Sequence, residues 1–159
     1  MVVRRMVEGD LDSVVDIASK SFHGMRDRAK ARMWIECNLR CSPRMQYFVA
    51  EDGGRILGYI LWVERGGFRE EAVLELEQIA VRPEFRGQGV ATELIKRSLG
   101  EVRRYLEDRG SKLKLVLVMT GSEHGAQHLY EKALNVEVEC VIRDLFRGDE
   151  AVMVARYKP

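Results

Sequence analysis

Gln78-Ile79-Ala80-Val81-Arg82-Pro83-Glu84-Phe85-Arg86-Gly87-Gln88-Gly89-Val90-Ala91-Thr92 is the stretch on which the reading of this chain turns. An apolar, strand-like run ends at Val81, Pro83 interrupts it, a loop with two glycines follows, and a helical pattern opens at once. Val90, Leu94, Ile95, Leu99, Val102 and Leu106 continue that pattern on one face of a 3.6-residue period to about Arg109, with Gly110 as its stop. The first N–H groups of such a helix have no partner inside it. They point into the loop with the positive end of the helix dipole behind them, which makes a site for a phosphate or pyrophosphate. Glycine in the loop lets an anion approach the backbone without meeting a side chain.

Other phosphate binders use the same physics, but their patterns fit less well. A Walker-type loop needs Gly-Lys-Ser/Thr, and here Gly89 is followed by Val90-Ala91. A dinucleotide fingerprint needs three glycines opening a unit near the N-terminus, which this sequence lacks.

Upstream, Val2 to Val7 reads as a strand. Asp10 reads as an N-cap for a helix carrying Leu11, Val14, Val15, Ala18 and Phe22 at helical spacing. A second helix is expected from Arg26 to about Arg40, with Met33, Trp34 and Cys37 on its apolar side, ended by Pro43. Met45 to Ala50 and Ile56 to Glu64 flank Glu51-Asp52-Gly53-Gly54-Arg55 and form a hairpin, and Ala72 to Val81 is the next strand. Downstream, Leu113 to Met119 is a continuous apolar run of the kind buried on both faces. Ser122 is a candidate cap for a short helix to about Leu134, and strands near Val136 to Ile142 and Ala151 to Arg156 close the chain. With 159 residues, no repeat and no linker, the expectation is one mixed α/β domain over residues 1–159.

The net charge of +1 shows no clustered basic excess, so a nucleic-acid partner is not expected. No apolar run is long enough for a membrane span, nor is there a secretory signal, so a cytoplasmic protein is expected. Cys37, Cys41 and Cys140 are an odd number, which fits reduced thiols better than a disulfide scaffold. Cys37 and Cys41 share a helix side, but only His23 lies near them in sequence. No metal is expected, and the thiols are expected to be buried or half-buried.

Arg86-Gly87-Gln88-Gly89-Val90-Ala91 resembles the Gln/Arg-x-x-Gly-x-Gly/Ala motif of the GNAT superfamily of acyl-CoA-dependent N-acyltransferases. Ile79-Ala80-Val81-Arg82-Pro83 resembles the strand end that precedes that motif, and Leu129-Tyr130-Glu131-Lys132 is similar to a segment on the family's last helix. The order of elements matches along essentially the whole chain. The resemblance implies an α+β fold: a mixed, mainly antiparallel sheet of about seven strands with about four helices, in which a splayed parallel pair admits acetyl-CoA. It implies that Ile79, Ala80 and Val81 offer backbone hydrogen bonds to the pantetheine arm. Arg86, Gly87, Gln88, Gly89, Val90, Ala91 and Thr92 would hold the pyrophosphate. The acceptor would be a primary amine on a small molecule or a protein, bound by a monomer or homodimer near Phe22 to Cys41 and Phe146 to Glu150.

The sequence also departs from the family pattern. Asn135 stands where the family often has glycine and is expected to adopt the left-handed conformation in its place. Glu123 replaces an asparagine that can touch the cofactor, and no such role is carried onto it. Val118 replaces a glutamate of members that acetylate protein N-termini, which weakens that acceptor.

A lysine-like amine has a pKa of about 10.4 and is almost wholly protonated at neutral pH, so acetyl transfer needs a base to free its lone pair. Glu75 and Glu77, two apart on a strand, face one side of it. Position 75 matches a glutamate that serves as base in several family members, position 77 can line the same pocket, and either can act through a water. The alternative is that both sit on a solvated strand face. Tyr130 matches the tyrosine that protonates the departing thiolate, its alternative being a packing residue, and His124 and His128 are lesser candidates. A catalytically silent acyl-CoA-binding module would share the loop but would not need Glu75, Glu77 or Tyr130.

Overall fold

A computed structural model describes residues 1–122 and 125–158; Glu123 and His124, weighed above, lie outside them. The elements are β1 (Val2–Arg5), α1 (Leu11–Ser21), α2 (Arg28–Leu39), β2 (Met45–Asp52), β3 (Arg55–Arg65), β4 (Glu71–Val81), α3 (Val90–Asp108), β5 (Lys112–Gly121), α4 (Gln127–Leu134), β6 (Glu137–Ile142) and β7 (Glu150–Arg156). The strands form one mixed sheet in the order β1-β2-β3-β4-β5-β7-β6. By contact density the chain divides into two compact units, one of residues 1–62 and 78–98, the other of residues 63–77 and 99 onward.

In the first unit, β1 pairs antiparallel with β2 from Val2↔Glu51 to Arg5↔Phe48. Gly53 and Gly54, both at positive φ, make the tight β2–β3 turn that the sequence anticipates. Val14, Val15, Ile17 and Ala18 are the buried stripe of α1, and Phe48, Tyr59 and Ile60 are buried on the strands. Trp62 Nε1 donates to Ser98 Oγ at 2.7 Å, which satisfies both buried polar groups.

Three expectations fail in this unit. Asp10 does not cap α1: its carboxylate accepts from Val7 N–H at 2.9 Å and from both terminal nitrogens of Arg4. On α2 the inward stripe is Ala31, Ile35 and Asn38, while Met33 and Trp34 are 62% and 52% exposed and Cys37 is exposed too. Two stripes of α2 have helical spacing, and the inner one tolerates an asparagine because Asn38 Nδ2 donates to the buried Tyr47 hydroxyl at 3.1 Å. The helix begins two residues later than expected, where Asp27 caps it by accepting from Ala29 N–H and Lys30 N–H.

In the second unit, β4 and β5 are parallel from Glu71↔Lys112 to Leu76↔Val118, and the ladder stops there although β4 runs on to Val81. β7 pairs antiparallel with β5 and with β6, whose six residues are all exposed, as befits an edge strand. α3 ends in a Schellman motif: Gly110 at φ 81° donates to Glu107 O at 2.9 Å and Ser111 N–H donates to Leu106 O at 2.8 Å. α4 starts at Gln127, with no side-chain cap, so Ser122 is not its cap. Asn135 closes it at φ 55°, ψ 42°, the left-handed conformation expected of it. All three cysteines are exposed, contrary to the expectation of burial.

Glu64, at the end of β3, is 2% exposed and would be untenable alone. Arg109 meets it with a two-pronged pair at 2.8 and 2.6 Å, accepts no bond itself, and spends its other donors on the Tyr105 hydroxyl and Ser111 Oγ, each at 3.1 Å. The guanidinium also lies over the Phe68 and Tyr105 rings. Replacing Arg109 with Met leaves the Glu64 charge buried and unpaired. The expected loss is about 3 kcal/mol, the low end of the range for broken buried pairs because Arg109 keeps some exposure. Urea denaturation checks it, and Glu64→Leu combined with Arg109→Met should recover most of the loss.

Candidate functional site

The loop lies wholly within the first unit, and its origin is tightly fixed. Tyr59 Oη is within 3.0 Å of Gln78 Oε1, to which it donates. On β3, a Cβ at Gly58 would come within 2.6 Å of the Ala80 carbonyl oxygen, so only glycine permits the approach of the two backbones there. Arg82 then donates three times: its N–H to Leu57 O at 2.8 Å, Nε to Ile56 O at 2.9 Å and Nη1 to Asp16 Oδ2 at 2.7 Å. Pro83–Phe85 form one 3-10 turn, under the Arg55 guanidinium, which pairs with Glu84.

From this base the backbone turns twice through the left-handed region, at Gly87 (φ 74°) and Gly89 (φ 81°). An ideal Cβ at either would meet nothing within 4 Å. Glycine is therefore required for the backbone conformation, and the space beside it is open. Arg86 Nε donates to Val81 O and Gln88 Nε2 to Glu84 O, both at 3.1 Å, so these side chains brace the loop. The first helical bond runs from Glu93 N–H to Gly89 O at 3.0 Å. The N–H groups of Val90, Ala91 and Thr92 precede the ladder and are available to an anion. Of the strand-end residues, Ala80 and Val81 are buried and Ile79 is half-buried.

The other candidates lie in the second unit. Glu75 is 4% exposed on β4, opposite Leu117, with Arg65 Nη1 3.3 Å from its Oε2. It is not on a solvated face. Glu77, two residues on, is half-buried. Tyr130 on α4 is 7% exposed, and its hydroxyl has no hydrogen-bond partner among the described residues. Burial pushes this phenol up to about 12. His128 is exposed and pairs with Glu131 at 3.1 Å. Among the described residues no group of three or more metal-ligating side chains converges, and no helix is long and apolar enough to cross a membrane.

The model of the acetyltransferase (GNAT) family matches residues 11–135, through both the glycine loop and Tyr130. The chain belongs to this family. An uncharacterised N-acetyltransferase of Methanocaldococcus jannaschii is 26% identical over 91% of this chain, which spans 64% of that relative's length. A candidate ribosomal protein bS18-alanine N-acetyltransferase of Bacillus subtilis is 32% identical over 82% of this chain and 77% of its own. Among solved folds, an aminoglycoside 6′-N-acetyltransferase in complex with coenzyme A superposes with a TM-score of 0.78 at 14% identity, covering 100% of this chain and 98% of that one.

Sequence reading missed three residues of this GNAT loop's support. Gly58 carried a signal, a glycine inside the apolar run Ile56-Leu57-Gly58-Tyr59-Ile60. Asp16 and Arg82 carried none, since 66 residues separate them.

The Tyr130 phenol gives a pH test. Its folded pKa lies above the ordinary 10, so the folded protein holds that proton more tightly. The associated stability is intact below pH 10 and is lost as pH rises through about 12. Phenolate absorbance should show an ionisation step near 12 that Tyr130→Phe removes; an identical curve for the variant would refute the assignment.

Proposed function

We propose that this GNAT member transfers an acetyl group from acetyl-CoA to a primary amine by direct attack on the thioester. The observation that carries the reading is the pair of left-handed glycines, open on their Cβ side, immediately before the N-terminus of α3. A diphosphate fits that backbone cradle with up to two negative charges against the positive end of the helix dipole. The amides from Gly87 to Thr92 take the pyrophosphate, and the backbone of Ile79, Ala80 and Val81 takes the pantetheine arm as a short strand partner.

The chemistry needs a proton removed from the amine and one returned to sulfur. Glu75 is the proposed base, directly or through a water, with Glu77 as the second carboxylate on the same side of β4. Tyr130 is the proposed acid. Its burial keeps the phenol protonated at every pH at which the amine reacts, so it is available as a donor to the thiolate. The acceptor class is a primary amine. The Bacillus relative is named for a protein N-terminal alanine and the solved neighbour for an aminoglycoside, so both belong in an acceptor panel with lysine peptides.

CoA should raise the melting temperature in proportion to the logarithm of its concentration, about 2.7 kcal/mol at a hundredfold excess over Kd. Gly89→Gln should abolish that shift while leaving the protein folded. Millimolar CoA without effect on the wild type would sink the reading.

With an acceptor identified by free CoA release, Glu75→Gln should slow turnover most at neutral pH and less at high pH, where the amine loses its proton unaided. Glu77→Gln should have the smaller effect. Tyr130→Phe should lower kcat at least tenfold with KM little changed, since a positioned donor acts chiefly in the transition state. CoA binding with no turnover across the panel would favour a silent acyl-CoA-binding module.

A further inference from the structure

We infer that Asp16 is the positioning residue of the phosphate loop, acting through Arg82. The inference rests on the CoA reading above and adds a residue 66 positions away in sequence from the arginine it holds.

Asp16 stands on α1 and gathers three cations. Lys20 Nζ is 2.9 Å from Oδ1, Arg28 Nη1 is also 2.9 Å from Oδ1, and Arg82 Nη1 is 2.7 Å from Oδ2. Lys20 and Arg28 are largely exposed, whereas the Arg82 side chain is mostly covered. Only the last link therefore ties two elements together at depth. These partners, Lys20 foremost and then Arg82 and Arg28, hold the carboxyl down at about 2, so it is ionised throughout the working pH range.

Arg82 is the hinge residue between β4 and the loop. Its N–H and Nε grip consecutive carbonyls of β3, Leu57 and Ile56, and Asp16 fixes the far end of the same guanidinium. A planar group held at Nε and Nη1 cannot swivel. The next residue, Pro83, starts the 3-10 turn whose own acceptor is Arg82 O, bound by Phe85 N–H at 3.0 Å. Every later residue of the loop, including the amides from Gly87 to Thr92, inherits its placement from this anchor. An anion cradle made of backbone dipoles loses affinity when those dipoles are free to reorient.

Charge and placement make opposite predictions here. Three cations around one carboxylate leave an excess of two positive charges, and Asp16→Asn raises that excess to three. If Asp16 acted on a polyanionic ligand only through its charge, the variant would bind CoA more tightly. If Asp16 places the loop, the variant binds more weakly despite the gain in positive charge.

The experiment measures CoA affinity by calorimetry, KM and kcat with acetyl-CoA, and melting temperature, for wild type, Asp16→Asn, Asp16→Glu, Arg82→Lys and Asp12→Asn. Asp12 pairs with Arg32 across α1 and α2 and has no bond to the loop, so its variant is the control for loss of an ion pair. The expected result is a roughly tenfold rise in Kd and KM for Asp16→Asn and Arg82→Lys, equivalent to about 1.4 kcal/mol, with kcat at saturation within about twofold. Asp16→Glu should restore part of the affinity, and Asp12→Asn should match wild type. Arg82→Lys keeps the charge and loses only the fork, so it tests the link without leaving a carboxylate wholly unpaired. Unchanged or tighter CoA binding in both Asp16→Asn and Arg82→Lys overturns the inference, as does an affinity loss that merely tracks a fall in melting temperature and recurs in Asp12→Asn. Wild type failing to bind CoA overturns the functional reading instead, a result the variants cannot mimic.

Discussion

A parallel pair of neighbouring strands cannot be joined by a tight turn, and β4 and β5 are such a pair. The chain must leave the end of β4, travel back along the sheet and re-enter at the start of β5. Here α3 makes that return, with nineteen residues from Val90 to Asp108. The crossover requirement places the N-terminus of a long helix directly after a strand end. Its unpaired N–H groups and dipole come with it, whatever side chains are present. What the sequence adds is the means of turning from strand to helix in few residues. Gly87 and Gly89 supply the two left-handed backbone angles, and Pro83 opens the 3-10 turn that leads into them.

The ends of α3 are stabilised by different devices. At the C-terminal end, the Schellman turn at Gly110 hands the chain to Ser111, and Arg109 neutralises the buried Glu64 within the same turn. That end is closed: its polar groups are paired and its aromatic neighbours cover the guanidinium. At the N-terminal end the bonds fix the loop from behind, through Arg82, Arg86 and Gln88, and leave the leading amides unclaimed. One end of the helix is closed by protein groups, and at the other the loop is braced while the leading amides stay open.

The sequence made legible those features that depend on backbone geometry. Gly110 and Asn135 are read from local rules because the helix end demands a left-handed angle, and Gly87 and Gly89 from the room an anion needs at the backbone, although their left-handed angles appear only in the fold. The long amphipathic helix follows from periodicity in the same way. Features decided by distant partners were illegible. α2 offers two stripes at helical spacing, and burial of the Asn38 side rather than the Trp34 side depends on Tyr47 meeting Asn38. Asp10 has the residue type and position of a cap, but Arg4 and Val7 N–H claim its carboxylate.

Glu75 shows the same division at the chemical centre of the reading. Alternation along β4 puts Glu75 and Glu77 on one side, and local rules treat them alike. The fold separates them: Glu75 is buried with Arg65 as its ion-pair partner, while Glu77 is half-buried. Burial separates Glu75 from a carboxylate on a solvated strand face, as its proposed role as base supposes. Burial also explains why Arg65 is largely exposed while its partner is not. A long guanidinium can reach inward from the surface to a buried carboxylate, so the charge is compensated without a second ion entering the core. Backbone rules thus locate the glycine loop, and burial with an arginine ten residues away sets apart two carboxylates that local rules treat alike.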